Sequence, residues 1–469
     1  MAGKAKMNNS IIDRFRLVKL TTALEILMLL SLVVVWIVWP LRGTIAARNI
    51  ALVLGAISSI SWLYTVKPKF QIVDFLPIAF LICVPVWLLG LYIFNPAAPY
   101  LQWEELRGTW LRVILAFFFA IGLGRLYSYR LQYRSMFLWV LFIWPIVMLI
   151  LFILQGVFTH SWFGEQIYIY VFKSKVAGVY FLIWSLILCF SSSYLGCLEE
   201  NNKSDLLKSL TRKDIALVIL FVICIVDFFS LRSLNGLIAV FVGLSILTIF
   251  YVRKNKNNLF KVIILFAGIA AFISTVVVHD LRYSSGKLLG LKDDINFIVN
   301  HDMTGAWKWN GTYKGPYPPI NTISDHPVNG STYERVAWFK EGLKYLQAFP
   351  LGLGYTGQAF AFYMAKNHLG SGATKTHSGW LDFALGSGCV GMISVWLSMG
   401  VIFWRARQGI KNSSTNDPMP AYICWSLCIL FLLWLIAELS DREYIEHFFF
   451  MLAFFSMTIN HPKPSSLLK

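Results

Sequence analysis

Apolar residues in this chain come in long runs separated by short polar connectors, and runs of about 17 to 25 residues suit helices that cross a hydrocarbon core of about 30 Å. The pattern places spans near residues 22–40, 46–64, 74–94, 108–127, 136–155, 177–197, 215–231, 236–252, 261–279, 380–404, 421–438 and 444–460. Backbone in lipid must satisfy its own polar groups, which admits helices or a closed barrel, and the run lengths choose helices. The predicted fold is an all-α polytopic membrane protein of about twelve transmembrane helices. Residues 1–280 form an N-terminal bundle of about nine spans, 281–378 one long hydrophilic loop, and 379–469 a C-terminal group of about three spans.

Composition agrees and removes other classes. With 57% hydrophobic and 14% charged residues, the chain is far more apolar than a soluble domain. A net charge of +17 raises nucleic acid as a partner, but the basic residues fall in alternate connectors rather than in one basic domain with aromatic platforms. Those connectors hold Lys67 and Lys69; Arg125, Arg130 and Arg134; Lys203, Lys208, Arg212 and Lys213; Arg253, Lys254 and Lys256; and Arg405, Arg407 and Lys411. By the positive-inside rule they face the cytoplasm, as do both termini. The charge then serves topology and anionic membrane lipids, with no nucleic acid. Lys4, Lys6, Arg14, Arg16 and Lys19 precede the first apolar run without a small-residue cleavage site, which reads as a retained first span. The cysteines lie in or beside spans, and none falls in the long loop where an oxidising compartment would pair them.

The remaining connectors face outward: the stretch around Glu104 and Glu105, the aromatic segment 156–176, the turn at Arg232, the 281–378 loop, and the turn from Glu438 to Glu443. The long loop carries Trp307, Trp309, Tyr313, Tyr317, Pro318 and Pro319, a composition suited to the headgroup layer or to stacking on sugar rings.

Three places in this outward half hold polar groups that a structural membrane helix has little reason to keep. Arg232, in Ser230-Leu231-Arg232-Ser233-Leu234-Asn235-Gly236, runs against the positive-inside bias. Its fork of donors fits phosphate oxygens; the alternative is snorkelling to a lipid headgroup. The second is the stretch from Tyr333 to Leu346, where Arg335, Trp338, Phe339, Gly342, Leu343 and Leu346 recur at helical spacing. This predicts an amphipathic helix near 332–349, with its turn and N-cap in Asn329-Gly330-Ser331-Thr332, stopped by Pro350-Leu351-Gly352-Leu353-Gly354. Its charges also suit a plain solvated face. The third is Lys375-Thr376-His377-Ser378-Gly379-Trp380-Leu381-Asp382, leading through Gly386, Gly388 and Gly391 into a span. A histidine where the loop re-enters the membrane can accept a proton near neutral pH, with Asp382 as a group to orient it, or can be a simple interfacial hydrogen-bonding residue.

No glycine-rich phosphate loop, H-E-x-x-H or G-x-S-x-G occurs. Asp293-Asp294 and His301-Asp302 are the one place in the loop that suggests a divalent cation. A transporter of lipid-linked sugars is the main rival class. It would keep ionisable or helix-breaking residues near mid-membrane and repeat its spans, and neither is evident here. A purely structural assembly protein would not need two arginines and a histidine in this order.

The order of the three blocks resembles the O-antigen ligase and polymerase family of bacterial envelope glycosyltransferases. In that family an arginine sits in a small-residue turn between spans, a second opens a helix ending in Pro-x-Gly-x-Gly, and a histidine precedes Leu and a Gly-x-x-Gly step. Here these are Arg232 with Ser233 and Gly236; Arg335 with Trp338, Pro350, Gly352 and Gly354; and His377 with Leu381, Gly388 and Gly391, over roughly residues 215–400. The chain departs at Ser378, where relatives commonly have Asn, and at Leu231, where they have Ser or Gly.

The resemblance implies a GT-C-like enzyme of the bacterial inner membrane with a periplasmic active site. Its donor is an undecaprenyl diphosphate-linked O-antigen and its acceptor the lipid A-core oligosaccharide, with no cofactor and no metal. Arg232 and Arg335 would hold the diphosphate and His377 would deprotonate the acceptor hydroxyl. Ser233, Asn235, Trp338, Lys375 and Asp382 would line the substrate site. One dominant loop before the histidine looks more like a ligase than a polymerase, and protein-glycosylating relatives share the same core.

Overall fold

The computed structural model describes residues 2–160, 171–172, 174–199, 212–231, 233–254, 270, 272–278, 280–281, 290–302, 305–309, 328–412 and 418–459. The described residues form helices and no strand beyond an isolated bridge between Leu41 and Phe172. In chain order the helices are α1 Ala2–Val38, α2 Ile45–Val66, α3 Ile72–Phe94, α4 Pro99–Glu105, α5 Leu111–Tyr129, α6 Arg134–Val140, α7 Ile143–Thr159 and α8 Lys175–Glu199. They continue as α9 Arg212–Ser230, α10 Leu234–Lys254, α11 Leu291–Asn300, α12 Gly330–Ala348, α13 Ala359–Asn367, α14 Gly379–Asn412, α15 Met419–Ile436 and α16 Arg442–Thr458.

Among the described residues eight helical stretches are long and apolar enough to span a membrane: 18–38, 45–66, 72–94, 99–129, 131–158, 175–195, 379–411 and 419–436. Residues 215–230 and 234–250 are shorter apolar helices. The chain is thus a polytopic helical membrane protein. Most of the span predicted at 261–279 lies outside the described residues.

Two arginine-bearing clusters fasten opposite ends of the bundle. Asp74 at the start of α3 pairs with Arg125 of α5 and with Arg405 of α14, the latter at 2.5 Å. At the other end, Glu446 of α16 pairs with Arg112 of α5 at 2.5 Å and with Arg48 of α2 at 3.4 Å. Buried charges of this kind are tolerated only when paired, and removing one partner of such a pair costs about 3–5 kcal/mol.

The post around which these helices pack is α16. Every residue from Glu443 to Thr458 is buried. Its Phe449, Phe450 and Phe454 rings meet Trp110 and Phe117, Trp39 and Phe119, and Tyr127 and Phe137. Gly124 of α5 makes the close approach possible, since a Cβ there would sit 2.8 Å from the Phe454 carbonyl.

The amphipathic helix expected near 332–349 is α12, and its start is chemically marked: the Asn329 side chain accepts hydrogen bonds from Ser331 N and Thr332 N at 3.1 and 3.3 Å. It ends before Pro350, as the sequence requires. Its buried face carries Trp338, Gly342 and Tyr345. At Gly342 a Cβ would meet Thr376 at 2.7 Å and Leu381 at 2.9 Å, so α12 lies tight against the segment that bears His377.

Candidate active site

The glycines after α12 and the glycines inside α14 are halves of one joint. Gly388 has φ +70 and ψ −179, which breaks the helix. The Cys389 amide, which in a regular helix would bond to the Leu385 carbonyl, donates instead to Pro350 O at 2.8 Å. The carbonyls so released accept from the preceding loop: Leu353 N to Leu385 O at 3.0 Å and Gly354 N to Gly386 O at 2.8 Å. A Cβ on Gly352 would lie 2.3 Å from Gly388 N, and one on Gly386 2.2 Å from Tyr355 O. Only hydrogen fits at these positions.

That joint sets the register of the loop entering α14. His377, the residue two before the helix, adopts a left-handed conformation with φ +62. Its segment faces the turn between α15 and α16, and the two turns are strapped together. Gly379 N donates to Ala437 O at 2.8 Å and Ser440 Oγ to Asp382 Oδ2 at 3.3 Å, while Lys375 pairs with Asp441. Within this frame His377 Nδ1 meets the Glu438 carboxylate, and the imidazole lies parallel to the Trp338 indole, centroids 5.2 Å apart with 5° between planes. An imidazole held at Nδ1 and stacked on a flat ring presents Nε2 as its working nitrogen. Burial alone would raise the Glu438 carboxyl. The contact with His377, with the positive charges of Lys375 and Arg335, outweighs burial and holds it below its usual range.

The expectation that Asp382 orients His377 is corrected here: the orienting carboxylate is Glu438. Asp382 Oδ1 accepts from Thr376 N at 2.8 Å and Oδ2 from Ser440, so it fixes the two turns and not the imidazole. The reason is local. Asp382 lies in the first turn of α14 and is taken up by Thr376 and Ser440, while the left-handed backbone at His377 takes the imidazole toward the α15–α16 turn.

Of the other expected site residues, Trp338 and Lys375 are brought to His377. Arg335 is exposed on α12 and near enough to Glu438 to help lower its carboxyl. Arg232 lies outside the described residues. Ser233 is buried and its hydroxyl caps α10 by accepting from Gly236 N at 3.3 Å, while Asn235 is half-buried in the first turn of α10. The acidic pairs offered for a cation have other work: Asp294 Oδ2 accepts from Asn329 N at 3.2 Å, and Asp302 Oδ2 accepts from Tyr333 OH at 2.8 Å. Among the described residues no three His, Cys, Asp or Glu side chains stand as a metal-binding group.

Beyond the Lys375–Asp441 pair a cavity of about 560 Å³ opens, lined by Arg42, Arg48, Glu105, Thr109, Thr356, Asp441 and Arg442. Arg48 is 5% exposed and Arg112, behind it, 9%. Both pair with the carboxylate of Glu446, and Glu443 on the cavity wall adds a second negative charge near Arg48. Arg442 is steadied by Thr109, whose Oγ1 accepts from its Nε at 3.1 Å. The far wall is fixed by Glu105, whose carboxylate takes four donors: Thr356 N at 2.7 Å, Thr356 Oγ1 at 2.6 Å, Gly357 N at 2.9 Å and Trp110 Nε1 at 3.1 Å. The sequence reading missed Glu438, Glu105, Arg48 and Arg442 as site residues. For the arginines the available signal is the one that singles out Arg232, a guanidinium at an end predicted to face outward. For Glu438 it is a carboxylate in an outward connector.

Residues 219–396 match the family model described as O-antigen ligase. The match contains Arg232, Arg335, Trp338 and His377 and stops short of Glu438 and α16. The resemblance read from the three motif blocks is thus found over the same part of the chain. No curated protein matches the chain.

Proposed function

We propose that the chain is a glycosyltransferase of the O-antigen ligase type, moving a polysaccharide from undecaprenyl diphosphate to a sugar hydroxyl of lipid A-core lipopolysaccharide on the periplasmic side of the bacterial inner membrane. The observation that carries this reading is the Trp338–His377–Glu438 stack inside and beside the region matched to that family, next to a cavity edged by arginines.

In this mechanism Nε2 of His377 takes the proton of the acceptor hydroxyl as its oxygen attacks the anomeric carbon of the donor sugar. The bond from that carbon to the diphosphate oxygen breaks from the opposite side, giving inversion. Glu438 keeps Nδ1 protonated and stabilises the imidazolium that forms. The leaving diphosphate gathers charge, and Arg335 and Arg232, with Arg48 and Arg442 from the neighbouring cavity, supply fixed positive charge for it. The diphosphate brings its own activation, so the scheme needs neither a metal nor a nucleotide. The 281–378 loop, with about twelve spans overall by hydropathy, then faces the periplasm and both termini face the cytoplasm.

The test is reconstitution of purified protein with lipid-linked O-polysaccharide and rough lipopolysaccharide in EDTA without nucleotide, comparing wild type with His377→Ala by gel shift. The expected result is a shift in the wild type and a rate about 100-fold to 10,000-fold lower in the variant. Retention of anomeric configuration, or full activity of His377→Ala, would refute the mechanism. Longer chains on the carrier would reassign the protein as a polymerase, glycan on an added pilin as a protein glycosyltransferase, and no transfer to any acceptor as a transporter.

A further inference from the structure

On the side of α12 away from Gly342 lies a second, smaller cavity of about 260 Å³ that the proposed reaction does not use. Its wall on α12 is Ala337, Lys340, Glu341 and Lys344, a single helical face, and Trp307, Lys308 and Trp309 close it from the 3₁₀ turn Ala306–Trp309. This turn is built to hold its indoles in place. Tyr333 OH donates to Asp302 Oδ2 at 2.8 Å and accepts from Trp307 N at 3.3 Å, Gly305 N donates to Asp302 Oδ1 at 3.3 Å, and Trp338 Nε1 donates to Trp307 O at 3.2 Å. His368 meets both indoles edge-on, with centroids 6.4 Å from Trp307 and 5.9 Å from Trp309.

Two features give the cavity a chemical preference. Fixed indoles beside hydrogen-bonding side chains suit a ring with one apolar face and hydroxyls at its rim, which is a sugar. Lys344 pairs with Glu341 at 3.0 Å, Lys340 donates to Val299 O at 2.8 Å and Lys308 lies over the Trp307 ring, so three lysines stand against two carboxylates, one of which, Asp302, already takes the Tyr333 and Gly305 donors. The surplus is positive, and its effect is visible on His368, whose protonated form is disfavoured by burial and then by Lys308.

The cavity is also wired to the reactive histidine. Trp338 binds the backbone of the cavity turn with its indole N–H and stacks its face on His377. Trp338 thus ties the turn that carries Trp309 to the segment that carries His377.

We propose that the Trp307–Trp309–Lys308–Lys344 cavity is a glycan subsite that selects a sugar bearing a carboxylate or phosphate group elsewhere in the saccharide than the reacting unit. This rests on the glycosyltransferase reading for its role, though its binding can be measured without it. The charged sugar belongs either to the polysaccharide on the donor or to the acceptor oligosaccharide.

The binding experiment titrates the full-length protein in detergent with three soluble probes of equal size: a disaccharide containing a uronic acid, a disaccharide phosphate and a neutral disaccharide. Tryptophan fluorescence and calorimetry are the readouts. Both charged probes are expected to bind about tenfold more tightly than the neutral one, as one charged hydrogen bond allows. Lys308→Gln with Lys344→Gln should erase that preference, Trp309→Ala should weaken all three probes, and His377→Ala should change none. Equal binding of the three probes, or a preference that survives the lysine substitutions, overturns the proposal. In the transfer assay the lysine pair should raise KM tenfold for only one substrate. A rise for the donor places the charge on the polysaccharide, a rise for the acceptor places it on the acceptor oligosaccharide, and no change in either KM overturns the subsite. Wild-type transfer without any probe preference defeats this inference and leaves the proposed reaction standing. Probe preference without transfer does the reverse.

Discussion

Replacing Gly352 by alanine tests the joint on which the site depends. The new Cβ would lie 2.3 Å from Gly388 N and 2.6 Å from Gly386 O, both backbone atoms that no side-chain rotation can move away. With φ at +84 the residue also sits in left-handed space, where a Cβ costs about 1–2 kcal/mol. Opening the joint sacrifices the Leu353–Leu385 and Gly354–Gly386 hydrogen bonds, about 1 kcal/mol each, and overpacking adds about 1–3 kcal/mol, for a total of roughly 4–7 kcal/mol. The comparison is Gly400→Ala in the same helix, where a Cβ meets nothing within 4 Å and helix propensity favours alanine by about 0.5–1 kcal/mol. Thermal unfolding in detergent, followed by intrinsic fluorescence at one scan rate, should show Gly352→Ala melting about 10 °C or more below wild type and Gly400→Ala at or slightly above it. If the two variants melt together, the joint does not bear on stability and the reasoning from Cβ contacts is wrong.

Glu438→Gln should leave KM for both substrates near wild type and lower kcat by about 10-fold to 1,000-fold, with partial rescue by Glu438→Asp, because it removes the group that holds His377 and not the base itself. Asp382→Asn should act mainly on melting temperature; equal kcat losses in the two variants would contradict the separate roles assigned to them. The Glu438 carboxyl is held below its ordinary range in the folded protein, so its contribution to stability is present above the unfolded carboxyl range, about pH 4.3, and is lost as pH falls through the lower folded value. The melting advantage of wild type over Glu438→Gln should therefore persist at neutral pH and vanish in acid, and an advantage that grows in acid would reverse the sign of the argument. Glu105→Ala strands the four donors it holds and should destabilise the protein by about 2–4 kcal/mol, read as a lower melting temperature and as faster proteolysis between residues 350 and 358.

What could be read from the sequence follows from which interactions are periodic. Membrane helices announce themselves because lipid demands apolar residues along a whole span, and α12 because its buried face repeats at helical spacing up to a proline. The capping stretch 329–332 is legible because a cap must stand next to what it caps, and the structure picks out Asn329 within it. Glu438 was not, because its partner His377 is sixty-one positions earlier and the two are joined only by the folding of α14 against α15. Glu105 and Thr356 are likewise joined across most of the chain. The charges on α16 are the instructive failure. Glu446 and His447 fall inside the last predicted span, where hydropathy gives them no role, yet the helix is buried on every side, and its acid faces two arginines assigned to separate spans.

The buried course of α16 bears on how the molecule is made. Every other described helix precedes it on the ribosome, so the membrane receives α2, α3 and α5 before the element they enclose exists. Until then Arg48 and Arg112 have no carboxylate and the faces of Phe119, Trp39 and Tyr127 have no ring to meet. The early helices must therefore wait in a loose, open arrangement and close inward once α16 is inserted. A ribosome that stops before residue 442 would leave a hollow intermediate with two unmatched cations facing its interior, a form recognisable to membrane quality-control proteases and distinct from the finished protein.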